Sequence, residues 1–103
     1  MESKEENALE RLAAEALRRG ADALEVEYKE GYEEVVAMSG VVGHGIARLR
    51  SSSAEAASLR RELDTLVRRK VRMTVDGQEY AAHCRAYESF GERAYKLELR
   101  RLS

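Results

Sequence analysis

The side chains best suited to chemistry in this sequence are one thiol and two imidazoles: Cys84, His83 and His44. A metal ion or a nucleophilic reaction would draw on these first, because thiolate and neutral imidazole are the usual soft ligands and the usual nucleophile and base. His83 and Cys84 are neighbours in a stretch that alternates as a strand, so they point to opposite faces and do not converge on one ion. Two histidines without a third convergent ligand make no metal site. Cys84 shares its strand face with Tyr80, Ala82 and Ala86, which reads as core and puts no base beside the sulfur. Carboxylates are plentiful, at 19 Asp plus Glu, but nearly all fall on positions that the patterning assigns to solvent. The expectation is a chain with no catalytic residue, no metal and no cofactor, and not an enzyme.

The glycines and arginines open a different chemistry, anion binding. Gly40, Gly43 and Gly45 spell G-x-x-G-x-G, the dinucleotide fingerprint inverted, and they precede a strand rather than a helix; G-K-[ST] occurs nowhere. The plain reading is a loop between strands. Its functional alternative is a small-ligand or nucleotide-sensing domain in which the Gly40 to Gly45 loop, through Gly43, His44 and Gly45, works with Arg48 and Arg50 to hold an anion. A second basic group, Arg60, Arg61, Arg68, Arg69, Lys70 and Arg72, has the charge to touch phosphates. It contains no aromatic for base stacking, and the whole chain carries a net charge of −1, so nucleic acid is not the expected partner.

The elements that must position these groups follow from composition and rhythm. At 103 residues the chain is read as a single domain, residues 1–103, large enough to bury a core without disulfides. Apolar residues make up 44% and charged residues 36%, the balance of a folded, highly charged globule. A lone cysteine gives no sign of an oxidising compartment, the segment Met1 to Glu6 lacks the apolar core of a signal peptide, and no apolar run reaches the roughly 18 residues of a membrane span. Those readings make a cytoplasmic location and no membrane insertion the expectation. Charge is unevenly spread: residues 1–34 hold eleven acids and five bases, residues 35–103 eight acids and thirteen bases, so the segments carry −6 and +5. Attraction within the fold or between copies is one consequence.

Ser3 and Glu6 have capping-box spacing, and Leu9, Leu12, Ala13, Ala16 and Leu17 recur on one helical face until Gly20. That predicts a helix over about 4–19. Leu24, Val26 and Tyr28 then alternate with Glu25, Glu27 and Lys29, predicting a strand. Glu30-Gly31 turns the chain into a second strand over 34–39, whose run Val35, Val36, Ala37 and Met38 reads as buried on both faces. A short third strand is predicted over 46–50. Ser52 and Glu55 have the spacing of another capping box, and Ala56, Leu59, Leu63, Leu66 and Val67 make the stripe of a second helix. Val71, Met73 and Val75 alternate up to Asp76-Gly77, the strongest hairpin signal present. Tyr80, Ala82, Cys84 and Ala86 lie on one face of the return strand, with His83, Arg85 and Tyr87 on the other. Tyr95, Leu97 and Leu99 alternate in a last strand after a turn within 88–92. The fold class is α+β, order αββ(β)αβββ, with a largely antiparallel sheet and two helices packed on one of its faces. The uncovered face, bearing His83, Arg85 and Tyr87, is the expected surface for a protein partner or for self-association.

Several of these residues also carry a family likeness. The chain from about residue 8 to 102 resembles the regulatory N-terminal domain of the type II secretion and type IV pilus assembly ATPases. There a helix leads into a G-A-S-D-I-H-I-E strand, where this sequence has Gly20-Ala21-Asp22-Ala23-Leu24-Glu25-Val26-Glu27. Ala37-Met38-Ser39-Gly40 stands where the family has an R-I-D-G turn, and Gly91-Glu92-Arg93 matches its late G-E-R, with Arg85 on the preceding strand. The family's serine, aspartate and histidine are Asp22, Ala23 and Glu25 here. The resemblance implies a PAS-like, non-catalytic domain that packs against neighbouring subunits, with the ATPase core absent.

Overall fold

A computed structural model describes residues 8–102. Along them run α1 (Ala8–Arg18), β1 (Ala23–Lys29), β2 (Tyr32–Ser39), β3 (Val42–Arg50), α2 (Ala54–Arg68), β4 (Val71–Val75), β5 (Gln78–Ser89) and β6 (Glu92–Arg101). The expected cap at Ser3 and Glu6 lies outside the described residues. Gly20 closes α1 with φ +85°, and the N–H groups of Gly20 and Ala21 donate to the carbonyls of Leu17 and Ala16, satisfying the helix's last acceptors. Two-residue turns with positive φ at both central positions join β1 to β2 (Glu30, Gly31), β4 to β5 (Asp76, Gly77) and β5 to β6 (Phe90, Gly91). That conformation matches the twist of the flanking strands.

The strands form one antiparallel sheet in the order β3-β2-β1-β6-β5-β4. Two three-stranded meanders therefore meet where β1 pairs with β6, Leu24 opposite Leu97 and Val26 opposite Tyr95. α2 carries the chain from β3 at one edge to β4 at the other. Although each half reads αβββ, the halves are not a symmetric repeat. Reversing the strand directions while keeping the order 3-2-1 would require a rotation that moves one helix to the opposite face, and both helices share one core. That core joins Leu9 and Leu12 of α1 and Leu59 and Leu63 of α2 to Leu24, Val26, Val35, Cys84, Tyr95 and Leu97 of the sheet.

Three expectations change in detail. β3 begins at Val42 rather than Ile46, because Gly43 pairs with Met38 and Gly45 with Val36 along β2, and an extra residue, Ile46, is accommodated where the register shifts between Val35 and Val36. β2 is not buried on both faces: Glu33, Val35 and Ala37 are buried, whereas Val36 and Met38 are only half-covered and lie across Gly43. The cap of α2 is Ser53, not Ser52; its hydroxyl accepts from the Ala56 N–H at 3.0 Å, and Glu55 pairs instead with Arg11 of α1.

Glu33 is the buried charge in this core, 1% exposed. Its Oε2 accepts from Arg60 Nη1 of α2 at 2.8 Å and from the Ser51 hydroxyl at 2.9 Å, while Oε1 has no partner. A carboxylate taken out of water depends on such partners, and removing one of them strands it. Arg60→Ala is therefore expected to lower stability in urea unfolding by about 3 kcal/mol, and Glu33→Gln, which keeps a hydrogen-bonding group in place, by less. A loss below about 1 kcal/mol for Arg60→Ala would show that the pair does not hold α2 to β2.

Candidate functional site

Alternation turns residues 23, 25 and 27 of β1, 32 to 38 (even) of β2, 79 to 87 (odd) of β5 and 94 to 100 (even) of β6 away from the helical layer. His83, Arg85 and Tyr87 stand on this open face in one file along β5, and all three are exposed. Register sets His83 opposite Glu98, Arg85 opposite Lys96 and Tyr87 opposite Ala94, and across β6 Lys96 meets Glu25. Arg85, Lys96 and Glu25 thus form a row in which one carboxylate faces two cations. His83 Nδ1 lies 3.8 Å from Glu98 Oε1, both side chains about half exposed, an attraction that operates only when the ring is protonated.

Tyr87 does more than stand on the surface. Its hydroxyl donates to Glu27 Oε2 at 3.2 Å, reaching from β5 to β1 over the intervening β6. Ala94 lies beneath this bridge and has 0% exposure although it is on the open face. Burial, the nearby Glu25 and Glu27 carboxylates and the hydrogen bond to Glu27 push the phenol up to about 12, and Arg85 opposes the shift.

The other expected group, Gly43, His44, Gly45, Arg48 and Arg50, lies on β3 at the sheet edge, with three strands between it and β5. Gly43, His44 and Gly45 belong to the strand itself, so no separate glycine loop cradles a ligand there. A Cβ on Gly43 would come within 2.8 Å of Met38 Sδ and 2.9 Å of Val36 Cγ1, which accounts for the glycine by packing. Arg48 and Arg50 both lie over the Tyr32 ring, 4.2 and 5.2 Å from its centroid, and Arg48 Nε is 3.4 Å from Glu34. These arginines already have partners, and the structure does not bring this group together with His83, Arg85 and Tyr87.

Cys84 faces the core, 3% exposed, and burial, with Asp64 adding to it, pushes its thiol up to about 11. Sequence reasoning passed over two polar groups that the fold gathers under α2. One is Glu33, detectable because it shares the parity of buried Val35 and Ala37. The other joins Tyr95, whose hydroxyl donates to Asp64 Oδ1 at 2.7 Å, and Arg93, whose Nε donates to the Tyr95 oxygen at 3.1 Å. No periodicity marks that triad, since its members come from α2 and β6. In comparison with known proteins, the chain matches no family model and no curated protein.

A pH titration and a thiol-labelling experiment test the placing of Tyr87 and Cys84. The difference spectrum between the wild-type chain and Tyr87→Phe is expected to show a phenolate forming near pH 12, and Glu27→Gln to bring that transition down toward 10. The sign for stability follows. A phenol that ionises at 10.0 when free and at about 12 in the fold contributes fully below pH 10 and loses its contribution as the pH climbs to about 12. Separately, an aromatic disulfide reagent at pH 8 is expected to label Cys84 only under unfolding conditions. Fast labelling of the native chain would contradict its placement.

Proposed function

We propose that this chain is a non-catalytic protein-interaction or regulatory domain, acting in the cytoplasm, that engages a protein partner or a second copy through its open sheet face and the aromatic end of that face. The observation that carries this reading is Phe90. Its side chain is fully exposed, at 102%, on the β5–β6 turn, and its φ is +52°. A bulky residue seldom adopts that backbone conformation, and glycine or asparagine would suit the turn better. Tyr87 on the open face and Tyr28 on the helical face are exposed at the same end of the sheet, and Tyr28 and Phe90 line one depression with Glu27, Lys29, Glu30 and Glu92. Exposed aromatics rimmed by charge are the composition of an interface core and its surround.

The kinship with secretion and pilus motor N-terminal domains belongs to this reading. What supports it is that the sheet is antiparallel, that Gly20 stands between α1 and β1, and that Gly91-Glu92-Arg93 opens β6. A ligand sensor built on Gly40 to Gly45 has less in its favour, since Arg48 and Arg50 are engaged by Tyr32 and Glu34.

Phe90→Asn separates turn geometry from binding. The variant is expected to gain about 1 kcal/mol in stability, because asparagine tolerates the left-handed conformation. It is also expected to lose at least tenfold in self-association by sedimentation equilibrium, or in retention of a partner by the immobilised chain. A salt-insensitive monomer that retains no partner would overturn the proposal, as would Phe90→Asn binding as well as the wild type.

A further inference from the structure

Three solvent-facing alanines on the open sheet are each flanked on both neighbouring strands by longer side chains, and two of them have opposite fates. Ala94 lies between Tyr87 and Glu27, a donor and an acceptor, which meet above it and leave it 0% exposed. Ala23 lies between Met38 and Glu98 and is likewise buried, at 4%. Ala81 lies between Arg72 of β4 and Arg100 of β6. Like charges do not close over a gap, and Ala81 stays partly exposed. It floors an open depression of about 550 Å³ lined also by Lys70, His83, Glu98 and Leu102.

We infer that this depression binds a phosphate monoester, held between Arg72 and Arg100 over Ala81. Strand spacing sets the two arginine backbones about 10 Å apart, so guanidinium groups leaning inward leave room for one tetrahedral anion between them. Lys70, the residue before β4, adds a third donor, and His83 a fourth. Three separated cations suit the three terminal oxygens of a phosphate better than the two coplanar oxygens of a carboxylate. Glu98 is the one acid in the lining, and its Oε1 lies 3.8 Å from His83 Nδ1. The lining cations exceed it by two charges, which matches the near-dianionic state of a phosphate monoester at neutral pH. Glu79 Oε1 lies 3.4 Å from Arg72 Nη1, a loose, well-exposed pair that the anion displaces. The site shares His83 with the proposed partner surface but does not depend on it. Phe90 and Tyr87 lie outside this lining.

The test is an NMR titration of the ¹⁵N-labelled chain at constant ionic strength with inorganic phosphate, a phosphoserine peptide and a single-stranded oligonucleotide. Inorganic phosphate and the phosphopeptide are expected to shift the amides of residues 70–72, 81–83 and 98–102 saturably, whereas the phosphodiester, with one charge per phosphate, does not. A tighter phosphopeptide assigns the group to a modified partner, and equal affinity assigns it to a small molecule. Arg72→Ala with Arg100→Ala, and separately Ala81→Leu, are expected to weaken phosphate at least tenfold. The leucine fills the floor while every charge remains, on a solvent-facing position where it does not disturb the core. Wild-type affinity in Ala81→Leu, shifts that grow linearly without saturation, or equal response to the oligonucleotide would overturn the assignment and leave only diffuse surface charge.

Discussion

The pairing of β1 with β6 is the contact on which the rest of this structure depends. It joins residues more than seventy positions apart, Ala23 with Glu98 and Leu24 with Leu97, and it turns two local meanders into one sheet. Each meander is built from neighbouring strands and tight turns. By itself, neither offers the helices enough apolar surface. Once β1 and β6 are adjacent, Leu24, Val26, Tyr95 and Leu97 form a continuous floor, and Leu9, Leu12, Leu59 and Leu63 close over it. The closing of so long a loop is entropically costly, and burial of that floor is the compensating term.

Polar anchors set where the second helix sits on this floor. Arg60 and Asp64 are one helical turn apart on α2, so they project from the same side. Arg60 reaches Glu33 on β2 and Asp64 reaches Tyr95 and Arg93 on β6, which ties one helix to both meanders. Apolar contacts are non-directional, whereas these bonds demand particular distances and angles. The uneven charge along the chain is partly spent here: Glu33 with Arg60 and Glu34 with Arg48 link the acidic first third to the basic remainder. Arg11 with Glu55 and Arg18 with Asp76 run in the opposite sense, so segment charge describes a tendency and not the individual pairs.

On the opposite face the same alternation that builds the core presents the polar chemistry. Small residues in the middle of a cross-strand row leave room for their longer neighbours: Ala94 and Ala23 are covered, and Ala81 is partly exposed. Tyr87 and Glu27 meet over Ala94, and Arg72 and Arg100 stand opposite Ala81 on its two neighbouring strands. The exposed Phe90 at a left-handed turn position adds an apolar anchor at one end of that face.

The change of period after Gly20 and after Lys70 was enough to place both helices, the turns at Glu30-Gly31 and Asp76-Gly77, and the inward set Leu24, Val26, Cys84, Tyr95, Leu97 and Leu99. It also placed His83, Arg85 and Tyr87 on the solvent side of β5, because residue parity in a strand is a local property. Glu33 was passed over because the second strand was read from residue 34 and as buried on both faces, whereas β2 begins at Tyr32 and buries Glu33 with Val35 and Ala37. The glycines of β3 misled for a physical reason: their place in the strand is decided by pairing with β2 and by Met38 and Val36 lying across Gly43. Strand order, the placing of Arg72 and Arg100 on either side of Ala81, and the anchoring of Asp64 by Tyr95 belong to tertiary structure alone. Each joins residues from segments whose separation in sequence carries no record of their adjacency, and only long-range pairing brings them together.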